Sequence, residues 1–463
     1  MSDKPRIGLL PLYVRLYDQI APDLRPVMAS FAEKLQAELA RKGVEVVAAP
    51  ICCVKKDFAA AVAMFERRQV DMVAAVHLAY SPSLEAVDAL VRTRLPLLLL
   101  DVTRDYDFGQ SADPALLLYN HGIHGLQDLA CMLRRRGRQY EIVAGHYLES
   151  DALSRAADIA RAAKAARRFS ATRALRVGGP FKGMGDFALP AEAFRRLGIT
   201  VKQIDLKTLG LAIRRVTDRE IEAEMAQDRQ RFEGQVKPDV HRRSARVGLG
   251  LRRCVEDGGF TACSVNFLCF VSRTGPVDTI PFLEIAKGMS RGVGYGGEGD
   301  LLTAAMVGGL IAGWERTTFT EMFCPDWKGD SIFLSHMGEI NPAVAAGKAT
   351  MLEKDYTLSD THNPVMIACA PAPGPATYAN LAPGPKGRLT LIVAPVEVLE
   401  DSSHPNAQTM VRGWIRARKP VGPFLEEYSR WGGTHHSALV LGQHTEALAA
   451  FGRFLGAECH VIA

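Results

Sequence analysis

The chain has 463 residues, 48% of them hydrophobic and 23% charged, and a formal net charge of +5. That length accommodates about two to four domains, and the composition is that of an ordinary globular chain. So small a positive balance excludes a strongly basic nucleic-acid binder, and the basic clusters Arg134–Arg138 and Arg167-Arg168 fall at predicted helix ends, where cations suit the dipole. The nine cysteines are an odd number scattered among apolar residues with no C-x-x-C spacing. They are expected to be reduced, buried thiols of a cytoplasmic protein rather than a disulfide framework. The N-terminal MSDKPRIGLLPLY shows no signal-like apolar region, and no apolar run reaches the roughly 18 residues of a membrane span, so no membrane partner is expected.

From residue 6 to 150, short apolar runs alternate with helical patterns. Ile7–Leu12, Val44–Ala49, Met72–His77, Leu95–Asp101 and Tyr140–His146 read as strands. Val27–Arg41, Ala59–Arg68 and Ser83–Arg92 read as helices between them. Continuous apolar strands separated by helices predict a parallel sheet covered on both faces. His77, Asp101 and Arg104 stand at strand ends, where a local cap is the simplest role. In NHGIHG, His121 and His124 precede a helix predicted to begin near Leu126, and without a third ligand nearby they do not form a metal site.

A long helix over Asp151–Arg168 leads to a domain boundary near residue 170 and to a new α/β segment, which opens with the strand and glycine-rich loop ALRVGGPFKGMGDF. GGFTACSVNFLCF is a buried strand passing through Asn266-Phe267, and Pro281–Ser290 is a helix. After Pro342 the chain is rich in prolines and short strands, including Arg388–Val396 and Met410–Arg418, and predicts a mainly antiparallel third unit.

The chemistry concentrates in residues 292–339, GVGYGGEGDLLTAAMVGGLIAGWERTTFTEMFCPDWKGDSIFLSHMGE. Gly292, Gly294 and Gly297 match G-x-G-x-x-G, but the segment before them has helical periodicity, whereas a dinucleotide fingerprint follows a strand. The glycines are therefore expected to form a loop that brings backbone close to Glu298. Glu298, Glu321, His336 and the His435-His436 pair of GGTHHS offer carboxylates and imidazoles. Such an oxygen and nitrogen set suits Mn²⁺, Co²⁺ or Fe²⁺ and can leave positions open for two substrate oxygens. A cation so placed favours an enediol, and a carboxylate beside it can carry a proton between neighbouring carbons, which is aldose–ketose isomerisation. The simpler alternatives are that Glu298 accepts hydrogen bonds from the glycine loop and that Glu321 caps a helix. His362 and His404, in proline-flanked loops, read as surface residues.

GYGGEGDLLTAA, TFTEMF, LSHMGE and GGTHHS, in this order, resemble the four metal-site motifs of the L-arabinose isomerase family, and GFTACSVNF, GPATYANLAPGPKGRLTLIVAPVEVL and NHGIHG extend the likeness over nearly the whole chain. The resemblance implies an α/β chain of two Rossmann-like parallel-sheet domains, at 1–170 and 171–320, followed by a mainly antiparallel β-barrel at 321–463. It implies Glu298 and Glu321 as metal ligands and proton-transfer groups, with His336 and His436 as the other ligands. His435 in place of His436 stays open. It further implies His124, Phe267 and His435 at the sugar, His124 reaching in from a neighbouring subunit of a trimer or hexamer. The first strand lacks the family's glutamine-bearing loop, reading Leu10-Pro11-Leu12-Tyr13-Val14-Arg15-Leu16-Tyr17, and Leu301 replaces a tryptophan after GEGD. The expected substrate is therefore a sugar or sugar acid left unspecified, and the related L-fucose isomerases share fold and reaction. Two rivals remain: a nicotinamide-dependent oxidoreductase using 292–297, and a non-catalytic sugar-binding protein.

Overall fold

The computed structural model describes residues 4–463. Met1–Asp3, part of the N-terminal stretch read above as lacking a leader, lie outside the described residues. The chain divides into two compact units, Met1–Lys164 and Ala165–Ala463.

In the first unit, β1 (Arg6–Leu12), β2 (Glu45–Ala48), β3 (Met72–His77), β4 (Leu97–Thr103) and β5 (Glu141–His146) form a parallel sheet in the order β2-β1-β3-β4-β5. β3, at its centre, is buried along its whole length, which is why its sequence is apolar without alternation. The helix Lys55–Arg67 buries Phe58, Ala61, Val62 and Phe65, the i, i+3, i+4, i+7 stripe of a core-facing helix. These side chains pack on Leu10, Val73 and Leu97 of the sheet, together with Leu126, Leu129 and Leu133 of the helix Ile123–Arg135. That helix begins three residues earlier than the predicted Leu126. Its glycines allow the early start: a Cβ on Gly122 would lie 2.3 Å from the His77 carbonyl, and one on Gly125 2.4 Å from the His77 ring.

In the second unit, β6 (Arg173–Val177), β7 (Thr200–Ile204), β8 (Ala262–Val265) and β9 (Gly294–Gly297) form a parallel sheet in the order β7-β6-β8-β9. After it come β10 (Thr317–Asp326), β11 (Ser331–Ser335), a separate ribbon of β12 (Thr350–Glu353) and β13 (Val365–Ala368), then β14 (Gly374–Pro383), β15 (Leu389–Val398), β16 (Gly413–Ala417), β17 (His436–Leu441) and β18 (Glu458–Val461). The order β14-β17-β10-β11-β16-β15, with β15 pairing back to β14, closes an antiparallel barrel of six strands, and β18 runs parallel to β15. Closure removes the open edges that an antiparallel sheet would otherwise expose. Ile332, Tyr378, Ile392, Ile415 and Leu439 fill its core. The α/β class with two Rossmann-like sheets and a C-terminal barrel is thus as expected.

Three expectations need correction. Gly292 lies in a turn, but Gly294, Gly296 and Gly297 are not a loop and belong to the strand β9, despite glycine's poor strand propensity. Packing overrides propensity here: a Cβ on Gly294 would stand 2.1 Å from the Ala304 carbonyl, and one on Gly296 2.4 Å from that of Asp300. Only a bare backbone lets the strand lie against the helix Leu301–Gly313. Glu321 lies within β10 and so caps no helix. The cysteines are not uniformly buried: Cys131 and Cys324 are exposed, on the helix Ile123–Arg135 and within β10 opposite Phe333.

Two buried polar features make testable statements. Lys287 bonds Glu224 and Asp228 in the second unit, with Nζ 2.8 Å from Asp228 Oδ1, while His241 reaches Asp228 and Arg252 reaches Glu224 and Glu284. Removing one member leaves buried charge uncompensated, so Lys287→Ala is expected to destabilise the protein by about 3–5 kcal/mol, read as a lowered urea midpoint. In the first unit, His77 is buried with neither ring nitrogen hydrogen-bonded, and burial pushes its pKa down to about 3. A depressed histidine favours the neutral native state, so this stability is complete above the ordinary value of 6.5 and is lost as pH falls toward 3. His77→Leu is expected to flatten the fall in thermal midpoint between pH 6.5 and 4; an unchanged slope contradicts it.

Candidate metal and active site

Strand register assembles this site. β10 lies between β17 and β11, and Glu321 stands opposite His436 on one side and Ser335 on the other. His336 directly follows Ser335, so two imidazoles flank one carboxylate. Glu298 arrives from the end of β9, the carboxyl edge of the parallel sheet where ligands bind in such folds. It adopts φ +60, a conformation that costs a residue with a side chain roughly 1–3 kcal/mol. Its carbonyl accepts the Phe181 N–H at 2.8 Å, and the Gly299 N–H donates to Ser264 Oγ at 2.8 Å.

Each histidine is held from behind by a buried carboxylate. His436 Nδ1 is 3.0 Å from Asp300 Oδ2, and Asp300 Oδ1 caps the helix Leu301–Gly313 by accepting the Thr303 N–H. His336 Nδ1 is 2.7 Å from Glu339 Oε2, while Glu339 also accepts from Tyr295 Oη at 2.9 Å and the Gly338 N–H at 2.8 Å. Nδ1 is therefore the protonated donor on both rings, which turns both Nε2 atoms toward the acids. His336 Nε2 is 3.7 Å from Glu321 Oε2, and His436 Nε2 is 3.5 Å from Glu298 Oε2. Phe319 packs edge-on against both rings, and Phe187 stacks on His436 at 5.4 Å.

His436 is 0% exposed, and its Nε2 has no hydrogen-bond partner. An unpartnered buried nitrogen facing carboxylates is costly in a folded protein and is relieved by a cation. Glu321, His336 and His436 each offer a ligand atom within 4.8 Å of the others, as do Glu298, His435 and His436. A Cβ on Gly297 would lie 3.1 Å from His436 Nε2 and 3.2 Å from His336 Nε2, so glycine there keeps the space between the rings open. The residues fit a divalent cation with mixed nitrogen and oxygen ligands.

The electrostatics point the same way. Burial alone would push the Glu298 carboxyl up, yet His435 and His436 bring it down to about 2. Burial alone would lower His436, but the carboxylates of Asp300 and Glu298 raise it to about 9. Burial raises Glu321.

Five of the seven anticipated site residues, Glu298, Glu321, His336, His435 and His436, come together. Phe267 follows β8 and packs 5.9 Å from Phe181, the residue that bonds the Glu298 carbonyl. His124 belongs to the other compact unit, where it sits exposed in the first turn of the helix Ile123–Arg135, 5.5 Å from the His121 ring. Asp300, Glu339 and Asp186 were not anticipated. Asp300 two residues after Glu298 and Glu339 three after His336 were visible as nearby acids, whereas Asp186, 249 positions from the histidine it bonds, left no local signal.

A family model described as the L-arabinose isomerase central domain matches residues 190–312, and one described as the L-arabinose isomerase C-terminal domain matches 316–458. An L-arabinose isomerase of Anoxybacillus flavithermus is 26% identical over 400 residues, covering 83% of this chain and 78% of that one. One of Shouchella clausii is 26% identical over 471 residues, covering 98% and 93%. One of Clostridium beijerinckii is 27% identical over 400 residues, covering 83% and 79%.

Gly297→Ala is expected to weaken Mn²⁺ binding by about 10- to 100-fold in calorimetric titration, because the new methyl displaces both Nε2 atoms. Unchanged affinity means that the rings are not the ligands.

Proposed function

The chain belongs to the L-arabinose isomerase family, and from that premise we propose a metal-dependent aldose–ketose isomerase working through an enediol intermediate. The observation that carries the metal is the buried, unpartnered Nε2 of His436, facing two carboxylates beside a second imidazole. Glu298, Glu321, His336 and His436 would hold the ion, with Mn²⁺ the first choice and Co²⁺ or Fe²⁺ alternatives. When bound, such an ion supplies Lewis-acid stabilisation of negative charge on adjacent sugar oxygens.

The protein's own groups divide the remaining work. Glu298 and Glu321 are the proton-transfer pair: one removes the proton from the hydroxyl-bearing carbon beside the carbonyl, a proton is returned to the former carbonyl carbon, and the hydroxyl proton passes to the former carbonyl oxygen, so that the sugar gains and loses no atoms. Their environments push them apart, Glu298 held ionised and Glu321 raised by burial, a pattern that separates base from acid. Asp300 and Glu339 keep the imidazoles aimed. Phe267 and His435 contact the sugar, and His124 does so from a neighbouring copy in a trimer or hexamer. Among the described residues no helix is long and apolar enough to cross a membrane, and we place the enzyme in the cytoplasm. The substrate is a sugar or sugar acid left unspecified, because the first strand reads Leu10-Pro11-Leu12-Tyr13-Val14-Arg15-Leu16-Tyr17 in place of the family's glutamine-bearing loop.

The test is an isomerisation screen on EDTA-treated protein given Mn²⁺, Co²⁺, Mg²⁺ or no metal, against pentoses, tetroses, deoxyhexoses and sugar acids. Turnover should return with Mn²⁺ or Co²⁺, and Glu298→Gln and Glu321→Gln should each lower kcat by about 10²–10⁴-fold with folding retained. Near-parent activity in both variants rules out these carboxylates as the proton carriers.

A further inference from the structure

The glycine-rich loop between β6 and the helix Ala191–Arg196 was assigned no role by its sequence, yet it touches the site at three points. The Phe181 N–H donates to the Glu298 carbonyl, the Phe187 ring stacks on His436, and Asp186 binds His435. The first two contacts are backbone support and packing. The third is a charged side chain directed at one ring nitrogen of a residue facing the acids.

Asp186 Oδ2 lies 2.6 Å from His435 Nδ1 and also accepts the His435 backbone N–H at 3.1 Å. The same histidine directs Nε2 at Glu298 Oε2, 3.5 Å away. Two-point attachment to backbone and ring fixes the side-chain torsions relative to the main chain. The His435 side chain is 30% exposed, with the Phe187 ring at 5.7 Å and the His436 ring at 4.1 Å, and Asp186 adds the directional contact on Nδ1. His436, by contrast, is fully buried and held by Asp300. The two neighbouring histidines thus each have an acid from a distant segment on Nδ1, Asp300 for the fully buried ring and Asp186 for the partly exposed one.

We infer that Asp186 is a positioning residue: by accepting from Nδ1 and the backbone N–H of His435 it fixes the orientation of the ring, with Nε2 presented to the reacting part of the sugar beside Glu298. The inference rests on the proposed isomerase reading for its kinetic consequence, but the ring orientation stands independently of it.

The test compares Asp186→Ala, Asp186→Asn and His435→Ala with Asp186→Ala/His435→Ala in the full-length protein. In ¹⁵N-histidine-labelled protein without metal, the Nδ1–H signal of His435, assigned by its absence from His435→Ala, should shift or vanish in Asp186→Ala. An unmoved signal overturns the inference whether or not any sugar turns over. With an active parent, Asp186→Ala should lower kcat by about 10- to 100-fold with smaller change in KM and undiminished metal content. The double variant should be no worse than His435→Ala, since the two act as a unit. Additive losses, or loss of bound metal, overturn it. Asp186→Asn keeps shape and an acceptor oxygen, so it should fall between Asp186→Ala and the parent; equality with Asp186→Ala assigns the effect to the charge of Asp186 and keeps the inference. Absence of activity in the parent refutes the isomerase reading while the ring signal still decides whether Asp186 holds His435.

Discussion

The site depends on the clamping of two imidazoles by buried carboxylates. A histidine can present either nitrogen, and only a partner on one of them decides which faces inward. Glu339 and Asp300 make that decision for His336 and His436, and both acids are themselves saturated, Glu339 by Tyr295 and the Gly338 N–H, Asp300 by the start of a helix. The orientation of the Nε2 atoms is therefore inherited from a helix cap and from a tyrosine in a glycine strand. Removing either acid frees a ring and leaves a hole in the support of the fold.

The barrel and the parallel sheet supply complementary halves. Antiparallel register places Glu321 beside both histidine-bearing strands at fixed spacing, a precision that a closed ring of strands maintains better than an open sheet. The parallel sheet contributes Glu298 from a strand end, where the chain turns through φ +60 before entering the helix Leu301–Gly313. The glycines of β9 make this junction possible twice over: Gly294 and Gly296 admit the helix, and Gly297 admits the histidine rings. One stretch of near-bare backbone thus serves packing on one face and a binding site on the other.

How much of this was legible in the sequence follows from the range of the signals. Apolar runs and helical stripes such as Phe58, Ala61, Val62 and Phe65 are local, and they gave the parallel sheets and their helices. The motifs holding Glu298, Glu321, His336 and His436 carry their chemistry within a few residues, and the resemblance joined them. The glycine strand was misjudged because propensity describes an isolated segment, whereas β9 is decided by contact with the helix that follows it. Choosing between His435 and His436 as ligand depends on which ring meets Asp300 and which meets Asp186, contacts spanning 136 and 249 positions. No pattern of neighbouring residues encodes them. The exposure of Cys131 and Cys324 has a related reason: apolar flanks do not reveal the solvent side of a hairpin strand or of a helix.

Charge balance ties the site together. Asp300 and Glu339 are almost wholly buried, and Glu298 nearly so, close to three histidines of which two are raised to about 10 and about 9. Taken alone, this constellation keeps protons on imidazole to offset its carboxylates, although burial by itself would strip them. A divalent cation offers the same compensation from a single point and returns the inward nitrogens to lone-pair donors, so its binding is linked to proton release. His435 differs from its neighbour in this respect. Its Nδ1 is spoken for by Asp186, it lies at the rim, and its Nε2 looks across Glu298 rather than between the two rings. Adjacent histidines in one motif are thereby held differently by the acids behind them, one fully buried on Asp300 and the other partly exposed on Asp186.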